Sequence, residues 1–218
     1  MGLLSVSLLV PGMAGAHSAP AIEPAVDIMP SQVQIYGDRW GVVPQTETSP
    51  LVDGILEPLW ESAFHADGFV TMFHNEPVPD QDTELFMLYD QQSLHIGLKG
   101  HYDQEGRAGA GDKEIVELLL VPGREQTDRR YRLKIPIRDE GRPIGANWGQ
   151  SVTNIAGAEY RVAAEETSWT AEVKIPYASL GVESVAPGDE WRMNVVRYFG
   201  INSKPFTSWV PIRNSYIT

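Results

Sequence analysis

Apolar and polar residues alternate along several stretches of the chain from residue 94 onward. Leu94, Ile96 and Leu98 alternate with polar or small residues, which is the period-two pattern of a half-buried β-strand. The same alternation recurs at 131–137, 169–175 and 191–195. No amphipathic helix of convincing length accompanies these stretches, so the pattern predicts an all-β domain, either a sandwich or a barrel.

Near-continuous apolar runs predict two further strands. The run at 84–89 leads through the polar turn 90–93 into the alternating strand at 94–98, and together they predict a β-hairpin. The run at 115–121 stops at Pro122, which is followed by a glycine. Upstream of both, residues 56–63 predict one short helical turn that presents Trp60.

The N-terminal residues have the pattern of a cleavable leader. A short apolar run covers 3–10 and a small-residue A-x-A pattern follows at 14–16, which predicts a signal peptide over 1–16 and an extracellular protein. The leader is incomplete, because no Lys or Arg precedes Arg39. The apolar run is too short to span a bilayer, so no membrane association is expected.

The next segment shows no sustained period. Residues 17–50 are rich in Pro, Ala, Ser and Thr, which is typical of a linker or an extended arm. The domain itself is therefore expected over 51–218. With 42% hydrophobic residues among 218, the chain has enough apolar side chains for one sizeable core.

Charge and cysteine content exclude several classes of function. The formal net charge is -12, and the densest basic stretch, 129–134, has the alternation of a strand with one polar face, so nucleic acid is not an expected partner. Absence of cysteine excludes disulfides, thiolate zinc sites and a cysteine nucleophile.

Motifs of independent catalysis are missing from the sequence. It contains no G-x-S-x-G, H-E-x-x-H, phosphate-binding or EF-hand pattern, so an enzyme is not expected. No cofactor is expected either. Structural calcium on hard oxygen ligands is an open alternative to solvated loop acids, and the candidate carboxylates are Asp80 with Asp82, or Asp103 with Asp112.

Six phrases, in order, resemble the family 9 carbohydrate-binding module. They are VDGILEPLW (52–60), LYD with LHIG (88–90, 94–97), EIVELLL (114–120), WTAEVKIPY (169–177), GDEWRMNVVR (188–197) and SWVP (208–211). The resemblance implies an antiparallel immunoglobulin-like β-sandwich. It also implies non-catalytic binding of a carbohydrate, such as glucose, xylose or polysaccharide chain ends, beside a glycoside hydrolase in extracellular polysaccharide catabolism.

The same resemblance assigns two charged site residues. Glu117 and Arg132 stand where the family has the Glu and the Arg that take sugar hydroxyls. Their alternation with apolar neighbours is predicted to aim both away from the core, where charged groups make strong directional hydrogen bonds. The alternative is a cross-strand surface ion pair, worth under ~1 kcal/mol.

The family's aromatic clamp is only partly matched. The loop 106–113, where the family carries one Trp, has no aromatic residue. Trp148, in a polar glycine-bearing loop, is the best remaining candidate, and its alternative role is to cap the end of the sandwich. Amide groups from Asn147, Gln150 and Asn154 are expected to add hydrogen bonds. The other tryptophans singled out are predicted to be core residues: Trp60, Trp169, Trp191 and Trp209.

Two other functions remain open from the sequence. The missing aromatic, and a chain that stops where family members continue through one more strand, fit a non-binding spacer or remnant of a glycoside hydrolase. Related sandwiches bind haem through Met with His or Lys. Met72 and His74 are predicted on one face of one strand, a geometry that cannot place one ligand on each side of the iron.

Overall fold

The structure is a computed structural model that describes residues 5–9, 39–72, 74–78, 82–101, 114–123, 130–137, 152–198 and 206–211. For 5–9 and 152–154 only the backbone is described. The described strands are β1 (Ser5–Leu9), β2 (Trp40–Pro44), β3 (Phe64–Ala66), β4 (Val70–Thr71), β5 (Thr83–Tyr89), β6 (Ser93–His101), β7 (Ile115–Val121), β8 (Arg130–Pro136), β9 (Val152–Asn154), β10 (Glu159–Ala164), β11 (Ser168–Pro176), β12 (Glu190–Tyr198) and β13 (Thr207–Ser208). The described ranges also contain 3₁₀ helices at Pro58–Ser62 and Tyr177–Leu180.

These strands form two sheets. The larger has the order β2-β1-β12-β7-β8-β9, with β13 pairing β12 and β4 pairing β13. The smaller has the order β10-β11-β6-β5-β3. All pairs of named strands are antiparallel except β1–β2 and β8–β9. The two sheets enclose one apolar core, so the predicted all-β sandwich is confirmed.

Side-chain alternation builds that core. On β6 and β8 the predicted inward residues, among them Ile96 and Leu133, are buried, and so are their counterparts on β11 and β12. The hairpin of β5 and β6 closes through the turn at Asp90, as the sequence predicts. All four tryptophans predicted to be structural are buried: Trp60, Trp169, Trp191 and Trp209.

Strand pairing starts earlier in the chain than the sequence pattern suggested. β2 lies within the segment expected to be an arm, and its Val43 is fully buried in the core. The sandwich therefore takes in residues 40–44. β1 lies within the predicted leader, yet its backbone pairs with both β2 and β12. The leader stays a prediction that competes with this strand for the same residues.

A strap, defined as residues 46–60, lies across the outer face of the smaller sheet. Its centre is held by Glu172 on β11, which accepts hydrogen bonds from the backbone N–H of Asp53 at 3.0 Å and of Gly54 at 2.9 Å. The other carboxylate oxygen accepts the Trp60 indole N–H at 2.9 Å. Gly97 of β6 allows this close approach, because a Cβ there would lie 3.2 Å from the Trp60 ring.

An ion pair buried between the sheets joins them at one end. Arg197 on β12 is fully buried, and its Nε donates to Glu114 at 2.6 Å while Nη1 donates to the Thr83 hydroxyl at 3.0 Å. The guanidinium also stacks over Trp169, 5.2 Å from the ring centroid. The Trp169 indole N–H donates to Glu114 at 3.2 Å. One cation therefore connects strands of both sheets.

Gly100 is required by this packing. A Cβ at Gly100 would lie 2.5 Å from the Trp169 ring and 3.1 Å from Arg197. We expect Gly100→Ala to lower the free energy of unfolding by about 1–3 kcal/mol through overpacking, measured by urea denaturation. Glu166→Ala, at an exposed turn, is the control and should change stability by less than about 0.5 kcal/mol. Equal stabilities of the two variants would contradict the crowding.

Candidate functional site

The outer face of the larger sheet carries the charged residues that the sequence singled out. On β7, β8 and β12 the inward positions belong to the core, so by alternation the remaining positions face outward. We call this the outer face, and its residues are Trp40, Val42 and Pro44 on β2, Glu190, Arg192, Asn194, Val196 and Tyr198 on β12, Ile115, Glu117, Leu119 and Val121 on β7, and Arg130, Arg132, Lys134 and Pro136 on β8.

Glu117 and Arg132 form an ion pair on this face. Arg132 is registered with Leu119, so its side chain reaches Glu117 diagonally across the β7–β8 ladder. The Tyr198 hydroxyl on the other side donates to the second Glu117 oxygen. One carboxylate therefore receives donors from both neighbouring strands.

This pair is buried, unlike the exposed pair considered from the sequence. Glu117 is 0% exposed and Arg132 is 3% exposed. A buried charge that loses its partner is costly, whereas an exposed pair contributes little. Residues lying against this face include Met72, which packs with Val196. The alternation correctly places both charges away from the core, but it does not reveal that other residues lie over them.

A second cation lies beside the pair. Lys134 is registered with Glu117 across the ladder and is half-buried. Its pKa is lowered from the ordinary lysine value, first by burial and then by the positive charge of Arg132. The centre of the outer face is therefore positively charged.

Asn154 joins these residues through its backbone. β9 runs parallel to β8 with Asn154 registered with Arg132, and the Ile155 N–H donates to the Arg132 carbonyl at 3.3 Å. Glu117, Arg132 and Asn154 thus occupy three adjacent strands. The other predicted site residues, Trp148, Asn147 and Gln150, lie outside the described residues.

Three outer-face residues were missed from the sequence as candidates for the site. Tyr198 and Arg192 fall on the polar side of the 190–198 alternation, a pattern that could have revealed them. Trp40 is 70% exposed on β2 and projects outward, because Val43, three positions further along the strand, projects inward. No local pattern marked Trp40, because the surrounding segment resembles an arm.

The structure describes some of the residues considered as ligands for haem and calcium. Met72 and His74 do not share a strand, because β4 ends at Thr71; Met72 is buried while His74 is exposed. The shared-strand prediction is therefore wrong. Two further methionines, Met87 and Met193, are buried in the core. Of the calcium candidates only Asp82 is described, and the described ranges hold no group of three metal-ligating side chains.

Comparisons with known proteins identify the fold. No protein-family model and no curated protein sequence matches the chain. Among solved structures, it is similar to a family 9 carbohydrate-binding module from Caldicellulosiruptor kristjanssonii in complex with glucose, with a TM-score of 0.53 and 9% identity over 74% of this chain and 82% of that one. A cellotriose complex of a family 9 module from the same organism gives a TM-score of 0.51 and 10% identity over 74% and 80%.

The similarity confirms the predicted fold resemblance. Two chains with so few identical residues can share a fold, because a core tolerates extensive hydrophobic substitution when its volume and pattern are kept. Fold alone does not specify a ligand, which depends on the residues of the site. No helix among the described residues is long and apolar enough to cross a bilayer.

Proposed function

We propose that this protein binds carbohydrate through the outer face without making or breaking a covalent bond. The observation that carries the proposal is the Glu117–Arg132 pair, held on the outer face together with Tyr198. The solved structures with this fold include modules in complex with glucose and cellotriose, which supports a sugar as the ligand.

The chemistry of the pair suits sugar hydroxyls. A hydroxyl both donates and accepts, so a carboxylate and a guanidinium side by side can bind two neighbouring hydroxyls. Hydrogen bonds to charged groups are stronger than neutral ones, and burial keeps these two side chains in place before a ligand arrives. Asn154, registered with Arg132, is the amide that extends this set.

Trp148 is proposed as the stacking aromatic, with Asn147 and Gln150 beside it. A pyranose ring presents apolar C–H faces, and a flat indole contacts such a face over a large area. The setting that we propose is extracellular polysaccharide breakdown, alongside a glycoside hydrolase domain or partner. The predicted leader and the family resemblance support that setting.

Calorimetric titration of the full chain tests the proposed function. The ligands are glucose, xylose, cellobiose, xylobiose and cellotriose, each with and without calcium. We expect saturable binding of at least one of them. A folded sample that binds none, judged by its thermal unfolding transition, would overturn sugar binding and favour a spacer.

Two substitutions test the proposed residues. Trp148→Ala should weaken binding by about 1–3 kcal/mol, because it removes the stacking surface. Glu117→Gln keeps the side-chain shape but replaces a carboxylate that only accepts hydrogen bonds by an amide that also donates them. It should therefore change the order of the affinities for the sugars. Leu51→Ala, at an exposed apolar side chain of the strap, is the control. Unchanged affinity and ranking in both variants would refute this site.

A further inference from the structure

Trp40 belongs to the same outer face as the cations of β8 and β12. Trp40 is registered with Ser5, and Val6 is registered with Trp191. Continuing the antiparallel register of β1 and β12 by one residue places Ser5 opposite Arg192. Trp40, Ser5 and Arg192 therefore lie in one row across the sheet. On the other side, Arg192 is registered with Val121 of β7, and continuing the register of β7 and β8 by one residue places Val121 opposite Arg130, which extends the row. Three sequence-distant side chains thus line up across the sheet.

Their spacing suits a sugar. Adjacent strands lie about 4.8 Å apart, so the Cα atoms of Trp40 and Arg192 are separated by about 10 Å across β1. Arg130 lies about the same distance beyond Arg192. Because both side chains of the Trp40–Arg192 pair are long, they can reach one pyranose ring from its face and its edge.

The charge of the outer face opposes that of the whole chain. Its described residues include four cations, Arg130, Arg132, Lys134 and Arg192, against two carboxylates, Glu117 and Glu190. The whole protein carries a formal net charge of -12. An excess of positive charge on one face of an acidic protein attracts an anionic ligand to that face.

Three of these cations have no partner for their charge among the residues that the structure describes. Within the described part of the chain, the side chains of Arg130, Lys134 and Arg192 form no hydrogen bond or ion pair. All three are half-buried, and the Nε of Arg192 is a buried donor without an acceptor in the described ranges. A partly desolvated cation gains from an anion that replaces its lost water.

We propose that the outer face binds an acidic saccharide, with one sugar ring stacked on Trp40 and sugar carboxylates held by Arg192 and Arg130. This inference rests on the proposed function and names its ligand class, a uronate-containing oligosaccharide. A guanidinium offers two parallel N–H donors that match a carboxylate. A neutral sugar would supply the stacking but leave the cations unmatched.

The row also sets the orientation of the ligand. Trp40, Arg192 and Arg130 lie across the strands, and the Glu117–Arg132 pair lies in the rows next to them. A ligand that contacts Trp40, Arg192 and Arg130 runs across the sheet, over about 19 Å from β2 to β8. The binding surface therefore exceeds one ring, which predicts oligosaccharides over monosaccharides.

Titration of the full chain with trigalacturonate tests the inference. The matched ligand is fully methyl-esterified trigalacturonate, which keeps the rings and removes the charges, and cellotriose is the neutral reference. We expect trigalacturonate to bind at least about tenfold more tightly than its ester at low salt, with the difference shrinking as salt rises. Trp40 is exposed, so its fluorescence should change on binding.

Two variants and two controls assign the contacts. Trp40→Ala and Arg192→Gln should each weaken trigalacturonate binding by about tenfold, and Arg192→Gln should also reduce the preference for trigalacturonate over its methyl ester. Arg161→Gln removes the same charge at an exposed position of β10, and Leu51→Ala removes an exposed apolar side chain. Neither control should alter the affinity.

Each outcome separates this inference from the proposed function. Binding of cellotriose with no preference for trigalacturonate over its ester would overturn the acidic ligand and leave carbohydrate binding intact. Failure of every sugar would overturn both. Equal affinity for trigalacturonate and a single-stranded oligonucleotide of the same charge would show polyanion attraction alone, and would also overturn the acidic saccharide.

Discussion

Replacing Arg197 by Met should lower the free energy of unfolding by about 3–5 kcal/mol. Arg197 is fully buried, and its main partner, the Glu114 carboxylate, would remain between the sheets without this cation. The Thr83 hydroxyl and the His101 carbonyl would each lose a donor as well. A Met side chain fills much of the volume, so the loss reports on charge and hydrogen bonding more than on a cavity.

Urea denaturation monitored by tryptophan fluorescence measures this loss. Arg161→Met, at an exposed position on β10, is the matched control and should change stability by less than about 0.5 kcal/mol. Adding Glu114→Gln to Arg197→Met should recover part of the loss, since no carboxylate is then left buried without its cation. A loss below about 1 kcal/mol in the single variant would show that the ion pair is not what joins the sheets.

Glu172→Ala should lower the free energy of unfolding by about 3 kcal/mol, because it leaves three N–H donors of the strap without their acceptor. The Trp60 indole is buried and cannot turn to water. We also expect faster proteolysis within residues 46–60 than in the wild type. Glu166→Ala, a carboxylate at an exposed turn, serves as the control. Unchanged stability and unchanged cleavage would contradict this role.

The carboxyl of Glu172 also predicts how stability depends on pH. Burial raises its pKa to about 7, with a smaller contribution from Glu57, and this outweighs the three N–H donors that favour the charged form. Between the ordinary pKa, near 4.5, and about 7 the folded chain holds a proton that the unfolded chain has released. The contribution of Glu172 to stability is therefore full below about 4.5 and is lost as pH rises through 7.

Comparing the wild type with Glu172→Gln isolates this effect. The pKa of His95 is lowered, first by burial, so His95 makes the opposite contribution: stability falls as pH drops below its ordinary value. The difference in unfolding free energy between the two proteins cancels the histidine contribution. We expect this difference to shift against the wild type from pH 5 to pH 8. A constant difference would refute the raised pKa.

Most of the fold was predictable from the sequence because strand alternation is a local property. The inward residues of β6, β8, β11 and β12 were all readable from the period-two pattern, and so was the hairpin of β5 and β6. The sequence pattern did not predict β2. It is a five-residue strand at a sheet edge, inside a Pro-rich segment, and its pairing with β1 and the burial of Val43 show that it belongs to the sandwich.

The candidate site was predictable only in part, for a related reason. Alternation placed Glu117 and Arg132 on an outward face, but their burial depends on segments distant in sequence, such as Met72. The sequence also showed no cationic cluster. The cations cluster only in the folded protein, where β7 lies between β8 and β12 and aligns Arg130 with Arg192.

The sequence by itself therefore determined which residues of each strand face inward and which face outward, because that choice follows from the apolar pattern within a few residues. Only the tertiary structure decided which strands are neighbours and in what register they pair. Those pairings join residues far apart in the chain, as Trp40 and Arg192 are, and no local pattern encodes them. The charge and the aromatic surface of the outer face are products of that register.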